Sequence, residues 1–223
     1  MKYSSMVQRI SGETVTAWDI HYAACDAQER GEDAIVLSIG DPDFATADEI
    51  CAAAVQALNE GDTHYCHVIG RPALREAIAA KQSVLLEQPV SAENVALVAG
   101  AQNGLYSVAM CLFEAGDEVL VPAPMYLTYE ASIQASGARL VPIAQPAEND
   151  FRLTLAAIEA VITDKTRGIA LATPNNPTGN VYTREELEAV ALVAQRHNLW
   201  VISDEVYGQL TYDRAHQSVA TLE

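Results

Sequence analysis

The chain has 223 residues, half of them hydrophobic and 19% charged, which excludes a disordered polypeptide and a small disulfide-stabilised scaffold. Thirteen basic against 30 acidic residues give a formal net charge of −17, so we expect no nucleic-acid partner and no acidic membrane surface as a partner. Four cysteines without a CxxC pair, no apolar leader and no membrane-spanning run predict a cytoplasmic protein.

The first 45 residues are weakly periodic and predict an N-terminal arm with part of a small domain. They contain a predicted amphipathic helix that ends at Gly31 and a short predicted strand over 34–40. Thr46 and Glu49 have the spacing of a capping box and predict the start of the next helix. We therefore expect a boundary near residue 45, with a large domain over 46–223.

Strands and helices alternate over the rest of the chain. The predicted strands are 95–100, 118–124, 139–144, 168–174 and 199–205. The predicted helices are 101–114, about 125–136, about 154–163 and one that a capping box of Thr183 and Glu186 begins. Near-continuous apolar runs are typical of strands buried on both faces, so the sequence predicts a three-layer α/β/α fold with a mainly parallel sheet.

Ligands of such sheets bind at the carboxyl ends of the strands, and four predicted strand ends carry unusual residues. The turn at Gly100 leads into a helix whose free N–H groups suit a phosphate, although it is also compatible with a plain turn. Tyr126 follows a strand that prolines end, where it either stacks on a planar ring or packs in the core. Asn176 lies in a loop with two X-Pro bonds that could equally be an ordinary turn.

Asp204 ends an apolar strand, so its carboxylate needs a cationic partner, which is either a ligand or an arginine. His64 and His67 have a spacing that metal ligands use, but no third ligand stands near them in the sequence. We therefore expect no metal site.

Six segments in this order resemble the class I aminotransferases of fold type I, which use pyridoxal 5'-phosphate. They are IGDPDF (39–44), HYCHVIGRPALREAIA (64–79), the glycine turn at 100, PAPMYLTY (122–129), NNPTG (175–179) and SDEVYGQLTYD (203–213). The resemblance implies an incomplete large domain of that fold and an enzyme that moves an amino group from an amino acid to a 2-oxo acid. The stretch RISGETVTAWDIHYAA (9–24) also resembles the arginine:pyruvate transaminase branch.

The resemblance also implies roles for particular residues. The implied cofactor contacts are Gly100, Ala101, Gln102, Tyr126, Asn176, Asp204, Tyr207 and Tyr65. Among them, the residues from Gly100 to Gln102 hold the phosphate, Asp204 keeps the pyridine nitrogen protonated, and Tyr65 reaches the cofactor of the neighbouring subunit in a homodimer.

Further contacts follow from the same resemblance. Gly40 and Asn176 border the substrate, Tyr126 lies on the pyridine face, and Asn176 and Tyr207 contact the phenolic oxygen. It also implies cis peptide bonds before Pro124 and Pro177, and a segment 95–100 without strand partners. The strands that would separate 95–100 from 199–205 come later in the family's chains.

The chain departs from the family in its lysines. It has only Lys2, Lys81 and Lys165, whereas the family's Schiff-base lysine follows the SDEVY element by a few tens of residues. The arginine that binds the substrate carboxylate also lies further on. We therefore expect residues 1–223 alone to be inactive, as part of a longer enzyme or as a non-catalytic truncated fragment. A C–S β-lyase or a decarboxylase on the same scaffold is the alternative within the family.

Overall fold

The structure is a computed structural model and describes residues 2–11, 16–40 and 42–222. Residues 12–15 of the N-terminal stretch and Asp41 of IGDPDF lie outside the described residues. The helices are α1 Ser5–Ser11, α2 Thr16–Glu29, α3 Asp48–Asn59, α4 Pro72–Leu85, α5 Ala101–Leu112, α6 Thr128–Gln134, α7 Leu155–Glu159 and α8 Arg184–His197. The strands are β1 Glu118–Ala123, β2 Arg139–Ala144, β3 Thr166–Ala172 and β4 Trp200–Asp204.

The four strands form one parallel sheet in the order β2-β1-β3-β4. The registers align the strand ends, since Ala123 lies beside Ala144 and Ala172 lies beside Asp204. This confirms the predicted parallel α/β sheet and places the loops after β1, β3 and β4 at one edge.

Helices cover both faces of the sheet. On one face, Val119 and Val121 of β1 pack with buried residues of α5 and α6. On the other face, Leu120 packs with buried residues of α7 and α8. The alternation along β1 is the two-residue period of a strand, and it gives the three layers that the sequence predicts.

Two predicted strands are absent from the described structure. The segment 34–40 is not a strand, and its Ile35 and Leu37 are 81% and 88% exposed. The segment 95–100 also lies outside the four-stranded sheet, as the resemblance implies, and its Leu97 N–H donates to the carbonyl of Ile69 at 3.0 Å. An apolar run becomes a strand only where a neighbouring strand satisfies its backbone groups, and neither segment has one here.

The helix starts show which capping predictions hold. The capping box of Thr183 and Glu186 is confirmed, with both reciprocal hydrogen bonds present at 3.2 and 2.7 Å. The box predicted at Thr46 is wrong, because α3 begins at Asp48 and its N-cap residue is Ala47, which has no side-chain cap. Acidic residues in the first turn of α3 complement the helix dipole instead.

Two further helices are shorter than predicted. Helix α6 begins at Thr128 rather than near 125, because residues 125–127 still form the turn that leaves the sheet. Helix α7 starts where Thr154 caps the Ala157 N–H and ends at Glu159 rather than near 163.

The N-terminal third packs loosely against the sheet. Helix α3 has no buried residue, and α4 buries only Arg75 and Ala79. The domain boundary at residue 45 stays a prediction. Among the described residues, no helix is both long and apolar enough to span a bilayer.

Candidate functional site

A cavity of about 390 Å³ lies at the carboxyl edge of the sheet. Its wall includes Tyr126 from the loop after β1, Asn176 from the loop after β3 and Tyr207 from the loop after β4. Gly40, which precedes α3 by several residues, also lines it. Four residues that are widely separated in the sequence therefore meet at the place where the strand ends predict a ligand site.

The backbone of two of these loops has the geometry that the resemblance implies. The peptide bonds before Pro124 and Pro177 are both cis, and the bond before Pro174 is cis as well. The amide of Asn175, which is buried, joins the two loops by donating to the carbonyl of Pro124 at 3.1 Å. This contact holds the turn after β1 against the turn after β3.

Asp204 ends β4 and lies half-buried beside this cavity, although it is not part of the cavity wall. Its Oδ2 accepts a hydrogen bond from the hydroxyl of Tyr129 at 2.7 Å, and its Oδ1 accepts one from the Val206 N–H at 3.1 Å. Within the described part of the chain, no arginine, lysine or histidine forms an ion pair with it. The carboxylate thus has neutral donors from the protein and still lacks a cation.

Tyr129 is only 3% exposed. Burial, together with the negative charge of Asp204, raises the pKa of Tyr129 well above that of a free tyrosine. Its phenol therefore remains protonated throughout the neutral range and acts only as a donor to Asp204.

Gly100 is the N-cap residue of α5 and has a φ of +89°. No side chain caps this helix, and a Cβ at Gly100 would meet no atom within 4 Å. The first turn of a helix leaves backbone N–H groups without intrahelical partners, and such groups can bind an anion. Ala101 is exposed there, but the side chain of Gln102 lines a different cavity, with Tyr106 and Ser132.

Tyr65 is not near the cavity. It lies in the connection between α3 and α4 with its side chain fully exposed. Its predicted contact with a neighbouring subunit stays a prediction.

Three cavity residues were not anticipated from the sequence. Trp18 and His21 of α2 line the cavity, and so does Ser38, whose hydroxyl lies 2.8 Å from His21 Nδ1. Their signal in the sequence is weak, because an amphipathic helix with aromatic residues one turn apart is usually a packing face. Tyr129 was also missed, although it stands three residues after Tyr126 and thus one turn away on the same helix start.

The described residues offer partners for three charged groups of a flat ligand, although Asp204 and Gly100 lie outside the cavity wall. Asp204 can hold a ring cation, Asn176 and Tyr207 can donate to an anionic oxygen, and the start of α5 at Gly100 can hold a phosphate. The hydroxyl oxygen of Thr128, next to Tyr129, is buried and has no hydrogen-bond partner within the described residues. No cluster of three or more potential metal ligands occurs in the part of the chain that the structure describes.

Fold and site together define an α/β protein with a parallel sheet and a ligand cleft at the carboxyl ends of its strands. The sequence model of the aminotransferase class I and II family matches residues 32–223. The chain belongs to this family, whose members are enzymes that depend on pyridoxal phosphate.

Individual proteins with similar sequences are aminotransferases as well. The chain is 48% identical over 222 residues to the arginine–pyruvate transaminase AruH of Pseudomonas aeruginosa, covering 100% of this chain and 56% of that protein. It is 34% identical over 223 residues to an aspartate aminotransferase of Geobacillus stearothermophilus, again covering 100% and 56%. The chain therefore spans about half the length of the curated relatives it matches.

Solved structures show the same fold. The aspartate aminotransferase of Thermus thermophilus with maleate superposes with a TM-score of 0.93 at 31% identity, covering 99% of this chain and 57% of that one. The alanine aminotransferase of Pyrococcus furiosus also gives a TM-score of 0.93 at 31% identity, covering 100% and 56%. The incomplete fold-type-I architecture is thereby confirmed.

Proposed function

We propose that this chain supplies the cofactor-binding part of a pyridoxal-phosphate-dependent aminotransferase, which moves an amino group from an amino acid to a 2-oxo acid. The observation that carries the proposal is the carboxylate of Asp204, which has a buried tyrosine as donor but no cation, at the edge where Tyr126, Asn176 and Tyr207 meet. A half-buried carboxylate in that state suits a protonated ring nitrogen. Family membership over residues 32–223 supports the same reading.

The residues of this chain would divide the work as follows. Asp204 holds the proton on the pyridine nitrogen, and Tyr129 orients the Asp204 carboxylate. Asn176 and Tyr207 donate to the phenolic oxygen, and the start of α5 at Gly100 binds the phosphate. When bound, pyridoxal phosphate supplies an electron sink for negative charge at the α-carbon of the amino acid.

Other cavity residues act on the substrate and on access. Tyr126 covers the flat ring, and its side chain is still 38% exposed in the described chain. Gly40 and Asn176 border the amino acid.

The amino donor and acceptor are part of the proposal. We infer arginine and pyruvate, because the relative with 48% identity over the whole chain is named an arginine–pyruvate transaminase. The sequence around α2, which resembles that branch, supports the same assignment.

We also propose a homodimer in the cytoplasm. The fully exposed side chain of Tyr65 supports an aromatic contact with a second subunit. Four free thiols, at Cys25, Cys51, Cys66 and Cys111, support a reducing compartment. Sedimentation of the protein with and without a Tyr65→Ala change tests the dimer contact.

The test of the cofactor role uses Asp204→Asn. Titration of the protein with pyridoxal phosphate, followed by absorbance and by equilibrium dialysis, should show binding weakened about tenfold or more, because an amide cannot balance the ring cation. Asp164→Asn is the matched control, since Asp164 is exposed in the turn before β3 and lies far from the strand ends. Equal cofactor affinity for all three proteins would contradict the role of Asp204.

The reaction is tested on the whole protein as its gene encodes it. Transfer to pyruvate should give alanine and the 2-oxo acid of the donor in equal amounts. Release of pyruvate and ammonia from cysteine conjugates would instead identify the lyase.

A further inference from the structure

One wall of the cavity comes from α2 and not from the sheet. Trp18 and His21 lie one turn apart on this helix, and both line the same cavity as Tyr126, Asn176 and Tyr207. The Trp18 side chain is 40% exposed, so part of its ring is open to the cavity and to solvent. The strand-end loops alone do not account for this wall.

The Trp18 ring is held by its own helix. Its centroid lies 6.0 Å from that of His21 in an edge-to-face arrangement and 6.3 Å from that of Tyr22 in a tilted one. Aromatic pairs at these distances and angles interact favourably. The exposed part of the Trp18 side chain is what a ligand in the cavity can contact.

His21 joins α2 to the segment that leads to Gly40. Its Nδ1 lies 2.8 Å from the hydroxyl of Ser38, and its Nε2 lies 3.6 Å from the thiol of Cys25. Both ring nitrogens therefore have partners within the protein. Its part is to position Trp18 and the backbone before Gly40 on the same side of the cavity.

The charge of the cavity wall limits which amino-acid side chains can bind there. Among the described residues, the wall contains aromatic rings, the imidazole of His21, the hydroxyl of Ser38, the amide of Asn176 and apolar side chains, but no aspartate, glutamate, lysine or arginine. A side-chain carboxylate such as that of aspartate would find no cation there, and the formal net charge of −17 adds a general repulsion. A flat cation, by contrast, is attracted to the face of an indole ring.

We propose that Trp18 recognises the side chain of the amino donor by stacking on a guanidinium group, and that His21 and Ser38 position the helix that carries it. This inference rests on the aminotransferase function proposed above and adds the residue that selects the donor. A volume of about 390 Å³ lies within the size range of small-molecule binding sites.

The test compares Trp18→Leu, which keeps apolar bulk but removes the aromatic face, with Trp18→Phe, which keeps a weaker one. In the whole protein, kcat/KM for L-arginine should fall about tenfold in Trp18→Leu and less in Trp18→Phe, mainly through KM. The value for L-alanine, measured with a 2-oxo acid other than pyruvate as acceptor, should change less than about twofold, because its methyl group does not reach the ring. Trp200→Leu is the matched control, since Trp200 begins β4 at the opposite end of the strand from Asp204.

A second measurement does not need turnover. The tryptophans of residues 1–223 are Trp18 and Trp200, and their variants show which indole reports on the ligand. Addition of L-arginine to the whole protein, with pyridoxal phosphate present, should quench an emission component that Trp200→Phe retains and Trp18→Leu lacks, and L-aspartate at the same concentration should not.

The outcomes separate the two proposals. Absence of amino-group transfer with every amino acid would refute the proposed function. Transfer from L-arginine that Trp18→Leu leaves unchanged would refute the role of Trp18 alone. The same would follow from a loss that is equal for L-arginine and L-alanine. A protein that uses other donors but not L-arginine would refute both the inferred donor and the role of Trp18.

Discussion

The hydrogen bond between Tyr129 and Asp204 should contribute measurably to stability. It joins a phenol that is 3% exposed to a carboxylate oxygen at 2.7 Å. Hydrogen bonds to charged groups contribute about 1.5–3 kcal/mol. Asp204 is only half-buried and retains its hydrogen bond from the Val206 N–H, so water can partly replace the lost Tyr129 hydroxyl. We therefore expect Tyr129→Phe to lower the free energy of unfolding by about 1.5 kcal/mol.

For a chain of this length, about 1.5 kcal/mol corresponds to a fall in Tm of about 3–6 °C. The assay is urea unfolding followed by circular dichroism on the wild type, Tyr129→Phe, Asp204→Ala and the double variant. This double-mutant cycle should return a coupling free energy of at least about 1 kcal/mol. Tyr3→Phe, at a position 87% exposed, is the control and should leave stability unchanged.

A coupling free energy near zero would show that the two side chains do not stabilise each other, and the account of Asp204 would then fail.

Three further predictions concern pH, capping and the lysines. Burial raises the pKa of Tyr182 to about 12, so between about pH 10 and 12 this tyrosine ionises only in the unfolded protein. Its contribution to the unfolding free energy is therefore constant below pH 10 and falls by about 1.4 kcal/mol per pH unit above it. Urea titrations of Tyr182→Phe should lack this pH-dependent component. Thr183→Ala removes the side-chain acceptor of the α8 capping box and should lower the unfolding free energy by about 1 kcal/mol, whereas an unchanged urea midpoint would contradict the cap. In the isolated polypeptide 1–223, borohydride reduction in the presence of pyridoxal phosphate should label no single lysine stoichiometrically. The reason is that none of the three lysines lines the cavity at the strand ends. A unique pyridoxyl peptide detected by mass spectrometry would refute this prediction.

Local patterns in the sequence were enough to predict the central sheet and part of the site. The apolar runs that became β1, β2, β3 and β4 are read correctly because a strand buried on both faces must be apolar along its whole length. The polar residues at the ends of these runs, such as Asn176 and Asp204, mark a ligand edge because parallel strands end on the same side.

The tertiary structure decided what depends on partners far away in the chain. The runs 34–40 and 95–100 look like strands, yet neither is one, because a strand exists only where another strand completes its hydrogen bonds. The strand order β2-β1-β3-β4 likewise depends on packing between segments and not on any local signal.

The dependence on distant partners also explains why some residues of the site were predicted from the sequence and others were not. Tyr129 and Asp204 are 75 positions apart, and no pattern within either segment predicts the hydrogen bond between them. Trp18 and His21 read as one face of an amphipathic helix until the fold places that face beside Tyr126. The local sequence shows which residues are of a type that can bind a cofactor. Only the tertiary structure decides which of them lie together in one cavity.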